Sequence, residues 1–283
     1  MQDLSRLLAD WPFEPDGITV RVITGEDGRE KIQLRVDLGL LQMDLDGRPD
    51  GALIHGAASW LDYYEVQQQV HDGAHPDGPP FVLDSAACAE LLREGVQYYH
   101  RYLSFWHLRR FELCARDTAR NLKLFAFVRK FARADRDKLQ FDQWRPYVTM
   151  MHTRSVAMPL VEMQLLDAAL PVIDAGISAI EDFLREYGQE ERLESVRELS
   201  FLRRWKRELE SQLKASSESL EAADFDAEGN GPSVATDADP LARLHAELKS
   251  AIEEERYEEA ARLRDEIRQQ QGFPPSSLPD SLN

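Results

Sequence analysis

The apolar residues of this chain change their spacing once, near Asp84, and that change sets the fold class. Ahead of it, Ile18, Val20 and Val22, then Ile32, Leu34, Val36 and Leu38, alternate with polar neighbours, the period of a half-buried strand. Asp27-Gly28 supplies a hairpin turn between the two runs. Gly39 breaks the second run, and Leu41, Met43 and Leu45 predict a further or bent strand that ends in the turn-rich DGRPDG at 46–51. Trp60 to Val70 predicts a short helix, followed by a Gly- and Pro-rich loop at 71–80.

From Asp84 onward the period is 3.6. Asp84 or Ser85 can cap a helix running to about Trp106, and a turn near Leu108-Arg109-Arg110 leads into a second helix through Phe131. Further helices fit 140–168, 170–187 and 190–215, with Pro146, Pro159 and Pro171 marking starts or kinks. Short connections between long helices argue for antiparallel neighbours, hence a bundle or a helical-repeat array. Phe111 to Ala115 resembles the second helix of a tetratricopeptide unit. The helix before it is too long for that repeat, however, and no period of about 34 residues persists.

Residues 215–238 are acidic, rich in small residues and aperiodic, the composition of a disordered tether. As a flexible coil such a segment spans about 25–30 Å. The expected fold class is therefore α+β, mainly α. A β-rich module at 1–80 precedes a helical bundle or array at 81–214. An acidic linker at 215–238, a helical hairpin at 239–271 and a disordered tail at 272–283 follow.

The hairpin is read from the residues themselves. Asp239 is a good N-cap, and Pro240 has its φ already set for the first helical position. Leu241, Leu244, Leu248, Ala251 and Ile252 recur at helical spacing. A polar break at Glu255-Arg256 precedes a second helix presenting Tyr257, Ala260, Ala261, Leu263 and Ile267, with Gly272 and Pro274 placed to stop it. The paired alanines let two backbones approach closely. So few apolar side chains offset poorly the entropy of ordering about 30 residues. The hairpin therefore gains by burying a second face against another protein or another copy of itself.

The pattern Leu248, Ala251, Ile252, Glu255, Tyr257-Glu258, Ala260-Ala261, Leu263-Arg264-Asp265 and Ile267 resembles the UVR motif. That motif is shared by UvrB, UvrC and some Clp chaperone and kinase-regulator proteins. The resemblance implies an antiparallel hairpin used as a protein–protein contact, with Leu244, Leu248, Ile252, Tyr257, Ala260, Ala261, Leu263, Arg264 and Ile267 meeting the partner. The partner would be another UVR-containing protein or the chain itself. The engines that accompany the motif elsewhere are missing. No GxxxxGK[ST] loop occurs, two cysteines cannot build a four-CxxC zinc array, and no tyrosine-rich nuclease motif is found.

Charge narrows the choice further. The net charge is −17, so the chain as a whole repels nucleic acid at long range. Residues 1–80 carry 15 acids against 6 bases, whereas residues 81–145 carry 8 acids against 13 bases. Within that basic block Arg109, Arg116, Arg120 and Lys123 follow at intervals of 7, 4 and 3, one helix face. They are candidate contacts to an acidic partner or to nucleic acid. The latter would make the chain a DNA-repair accessory.

Other candidates have plainer explanations. Asp44 to Gly51 lacks the ligand spacing of a calcium loop and reads as turn chemistry. His71 and His75 have no cysteine nearby, and His107 with Cys114 lacks a third catalytic group. His152 and Arg154 offer the one place for an enzyme site. Tyr98, Tyr99, Tyr102, Phe105, Trp106 and Phe111 lie at helical spacing and read as core. The expectation is a non-enzymatic adaptor without cofactor or metal. With two cysteines, no run of about 18 apolar residues and no secretory signal, it is expected in the cytoplasm.

Overall fold

The computed structural model describes residues 3–227 together with residues 244 and 263. After a short helix α1 (Ser5–Ala9) come strands β1 (Val20–Thr24), β2 (Glu30–Val36) and β3 (Gly39–Asp44). They form an antiparallel sheet in the order β1-β2-β3, with Val22 opposite Ile32 and Ile32 opposite Met43. The alternation read from the sequence decides the faces. Ile32, Leu34 and Met43 are buried on one side. On the other, Gln33 accepts a bond from Arg21 at 2.8 Å and donates one to Gln42 at 2.9 Å. The guanidinium of Arg21 stacks 4.1 Å from the ring of Trp11, which covers that polar face.

The helical part comprises α2 (Trp60–Ala74), α3 (Ser85–His107), α4 (Phe111–Phe131), α5 (Asp135–Asp142), α6 (Arg145–Glu162), α7 (Leu166–Glu186) and α8 (Arg197–Ala227). Helix starts follow the capping residues: the Ser59 side chain accepts the Asp62 amide and Asp84 accepts the Ala87 amide at 2.8 Å. Helices α3, α4, α6 and α7 pack successively on one another, as short connections require.

Two hydrophobic clusters fill the space between them. The larger joins Ile32, Leu34 and Met43 of the sheet to Tyr102, Phe105, Met151, Ile173, Ile180 and Leu202. The smaller gathers Leu61, Leu83, Leu91, Leu124, Phe125, Val128 and Phe141. The sheet thus shares its core with the helices, and residues 1–220 form one compact unit. Of the aromatic series at 98–111, Tyr98, Tyr102, Phe105 and Phe111 are buried and Tyr99 and Trp106 partly so, as expected of core.

Five expectations need correction. The helix expected over 60–70 runs on to Ala74, and the one expected over 140–168 divides among α5, α6 and α7. The last helix begins at Arg197, not 190, after a 3-10 turn at Glu190–Arg192. It continues to Ala227, so residues 215–227 of the expected tether are helical. The stretch carries four alanines and two glutamates, holds no proline, and the next glycine is Gly229, so nothing breaks the helix there. The rest of the linker and the tail lie outside the described residues. Finally, Arg109 stands in the α3–α4 turn with φ +57°, off the face of α4 on which its spacing had placed it.

Helices α6 and α7 touch where Gly176 meets Thr153. A Cβ at position 176 would sit 2.7 Å from Thr153 Cγ2 and 2.8 Å from its Cβ, and Thr153 is itself buried. Gly176→Ala is expected to destabilise the chain by about 1–3 kcal/mol, read as a lowered urea midpoint. An unchanged midpoint would show that the helices separate there at no cost.

Candidate functional site

On α3 the buried positions 91, 94, 95, 98, 101, 102 and 105 form one stripe, and two of them are charged: Glu94 and Arg101. On α4 the matching stripe carries Asp117, Thr118 and Asn121 between Cys114 and Leu124. Packed face to face, the helices enclose a polar layer between the two hydrophobic clusters.

Arg101 and Asp117 are each 1% exposed and form a bidentate pair at 2.6 and 3.0 Å. The remaining amino group of Arg101 donates to the carbonyls of Asp44 and Gly47, both at 2.9 Å, and Tyr98 donates to Gly47 at 3.1 Å. Glu94 accepts the first two amides of α2, from Trp60 at 2.7 Å and Leu61 at 3.2 Å. A carboxylate there meets the positive end of the helix. Arg48 at 3.4 Å and Arg120 complete its shell. Asn121 donates to the Gly95 carbonyl at 2.9 Å, closing the layer.

The loop at 44–51 therefore serves the fold. Its glycines 47 and 51 take positive φ, the Asp44 amide bonds the Pro49 carbonyl at 2.9 Å, and Arg48 pairs with Asp50 at 2.8 Å. Among the described residues no group of three or more His, Cys, Asp and Glu side chains is placed to hold a metal ion.

Each of the four basic candidates meets a carboxylate of its own chain. Arg109 pairs with Glu162, Arg116 with Asp46 at 2.6 Å and Asp117 at 3.1 Å, Arg120 with Glu94, and Lys123 with Glu65 at 2.8 Å. Arg120 also lies 3.9 Å from the Tyr98 ring. These contacts reach from α4 and its preceding turn to the loop after β3, α2, α3 and α6.

His152 and Arg154 face different clefts. His152 lines a cleft of about 550 Å³ between α4, α6 and α7, beside Arg145 and Thr149. Its Nδ1 lies 3.1 Å from the Thr118 hydroxyl and 3.2 Å from the Ala115 carbonyl. Burial pushes the His152 pKa down, only partly opposed by the carbonyl. Arg154 lines a second cleft of about 520 Å³, between the rings of Trp106 and Phe201. The two therefore do not form a joint acid–base pair. Cys114 lies against the Ser155 hydroxyl at 2.9 Å, and burial raises its thiol to about 12, far from a reactive thiolate.

Glu94, Arg101 and Asp117 were missed as candidates. Their signal was present: charged side chains at three- and four-residue spacing inside an otherwise apolar stripe.

Of the expected partner contacts, Leu244 and Leu263 are helical, the first partly buried and the second buried. Leu248, Ile252, Tyr257, Ala260, Ala261, Arg264 and Ile267 lie outside the described residues. Residues 239–271 match the model of the UvrB/uvrC motif, so the resemblance read from the sequence holds for that segment. The motif is known in DNA-repair and protein-interaction contexts. No curated protein and no solved structure matches the chain. No described helix is long and apolar enough to cross a membrane.

Two outcomes test the polar layer. Asp117→Asn leaves the Arg101 guanidinium without its counter-charge and is expected to cost about 3–5 kcal/mol in urea denaturation. The double replacement Arg101→Met, Asp117→Leu should recover most of that loss. A loss below about 1 kcal/mol for Asp117→Asn would mean that the pair is solvated.

The second concerns pH. Burial lowers the pKa of His100 and of His152, so near pH 6.5 the folded chain binds fewer protons than the unfolded one. The stability they contribute is complete above about pH 6.5 and is lost as pH falls from there through the folded values. Urea midpoints should drop over that window, with a shallower slope in His152→Gln. Identical slopes would contradict the assignment.

Proposed function

We propose that this protein is a non-enzymatic interaction protein that binds a protein partner, or a second copy of itself, through the hairpin at 239–271. The match of that segment to the UvrB/uvrC motif carries the reading, because motifs of this kind mediate protein interactions. Two physical observations support it. The hairpin has few apolar residues for its length and gains by burying a second face. Among the described residues, burial raises the thiols of Cys88 and Cys114 to about 11 and about 12, away from a reactive thiolate, and lowers the pKa of His107 and His152.

A role on nucleic acid through Arg109, Arg116, Arg120 and Lys123 would first require breaking their pairs with Glu162, Asp46, Glu94 and Glu65. The charge of −17 opposes it as well. Two free buried cysteines fit action in the reducing cytoplasm.

Affinity capture from native lysate with the full chain and with a chain lacking 239–271 tests the proposal. The deletion should preserve the cooperative unfolding of the 1–220 unit. The purified partner should bind the full chain at least about tenfold more tightly than the deleted one, a difference of about 1.4 kcal/mol. An unchanged set of partners at unchanged affinity would refute it.

A further inference from the structure

The cleft that holds Arg154 has a composition unlike the rest of the unit. Every other arginine of the polar layer and of the α4 face has a carboxylate within reach, whereas Arg154 has none within ion-pair distance among the described residues. Its guanidinium is stacked 4.1 Å from the Trp106 ring and 4.7 Å from the Phe201 ring. Its Nε is fully buried without an acceptor, and its polar contact among the described residues is a 3.6 Å approach of Nη1 to the Met151 sulfur. A stacked, desolvated guanidinium retains its charge and its planar fork, and a missing acceptor is costly there.

The walls supply what such a cation would share with a ligand. Exposed Arg197 and Arg204 stand on the same cleft of about 520 Å³, with Ser195 at its rim and the Tyr147 ring opposite. Arg204 approaches Glu208 at 3.8 Å and the Phe201 ring at 5.8 Å, and Arg197 has no ion pair among the described residues. One carboxylate, Glu198, faces the cleft, close enough to Tyr147 to help raise its pKa.

We infer that this cleft is a site for a small oxyanion, a phosphate or carboxylate group gripped by Arg154 and flanked by Arg197 and Arg204. The fork of Arg154 takes two oxygens of the anion, the aromatic rings hold the fork in plane, and the two exposed arginines neutralise the remaining charge. Glu198 competes for the same cations and sets the affinity of the empty site. The site is built from residues of α6, α8 and the turn before α8.

Titration of the full chain at low salt with inorganic phosphate and, separately, succinate tests this. The Arg154 Nε–H resonance and Trp106 fluorescence serve as readouts, the latter checked with Trp106→Phe. Saturable shifts are expected with at least one anion, and the one that binds identifies the preferred group. Arg154→Lys, which keeps the charge and loses the fork, should weaken binding by about tenfold or more. Because Arg154 packs on two rings, the exposed double replacement Arg197→Ala, Arg204→Ala provides a second measure that leaves the core untouched, with an expected loss of roughly threefold to tenfold. Glu198→Gln should tighten binding. No saturable shift with either anion, or equal affinity in the wild type and both arginine variants, overturns the site.

Discussion

The pair between Arg101 and Asp117 is the contact on which this fold turns. Two charges are taken fully out of water in the middle of the α3–α4 interface, and each is then bonded on every side that the geometry allows. Desolvation of this kind is unfavourable unless the bonding is complete. The requirement dictates the neighbourhood. The β3 loop must present the Asp44 and Gly47 carbonyls to Arg101, and the glycine at position 47 with positive φ makes that turn. Sheet and helices are thereby locked into one unit by polar as well as apolar contacts.

Glu94 extends the same logic to α2. Its carboxylate caps the helix start at Trp60 and Leu61 and gathers Arg48 and Arg120 around it. The polar layer so formed separates a cluster built on the sheet and α6–α8 from one built on α2, α5 and the ends of α3 and α4. A misregistered α3–α4 pairing would bury these charges without partners, so the layer also specifies the register of the bundle. Two basic residues of α4 contribute to it, Arg116 through Asp117 and Arg120 through Glu94.

Much of the architecture was legible from periodicity. The three strands, the cap at Asp84 and the helices through Phe131 follow from spacing and turn residues. The acid partners of Arg116, Arg120 and Lys123 were not legible. Asp46, Glu94 and Glu65 lie 70, 26 and 58 positions away, and no local rule pairs residues at such separations. The same limit concealed the Arg154 cleft, whose walls come from α6, α8 and the turn before α8. Composition misjudged 215–227, because acidic small residues can continue a helix already begun. The hairpin was the opposite case: its signature is local and could be read directly.

In the proposed function the hairpin at 239–271 makes the partner contact, whereas the charged layer holds the body together. Hydrogen–deuterium exchange on the full chain, alone and with its captured partner, tests this division most directly. Protection on binding is expected to fall within 239–271, with exchange in α3 and α4 unchanged. Protection over residues 109–138 with none in 239–271 would contradict it.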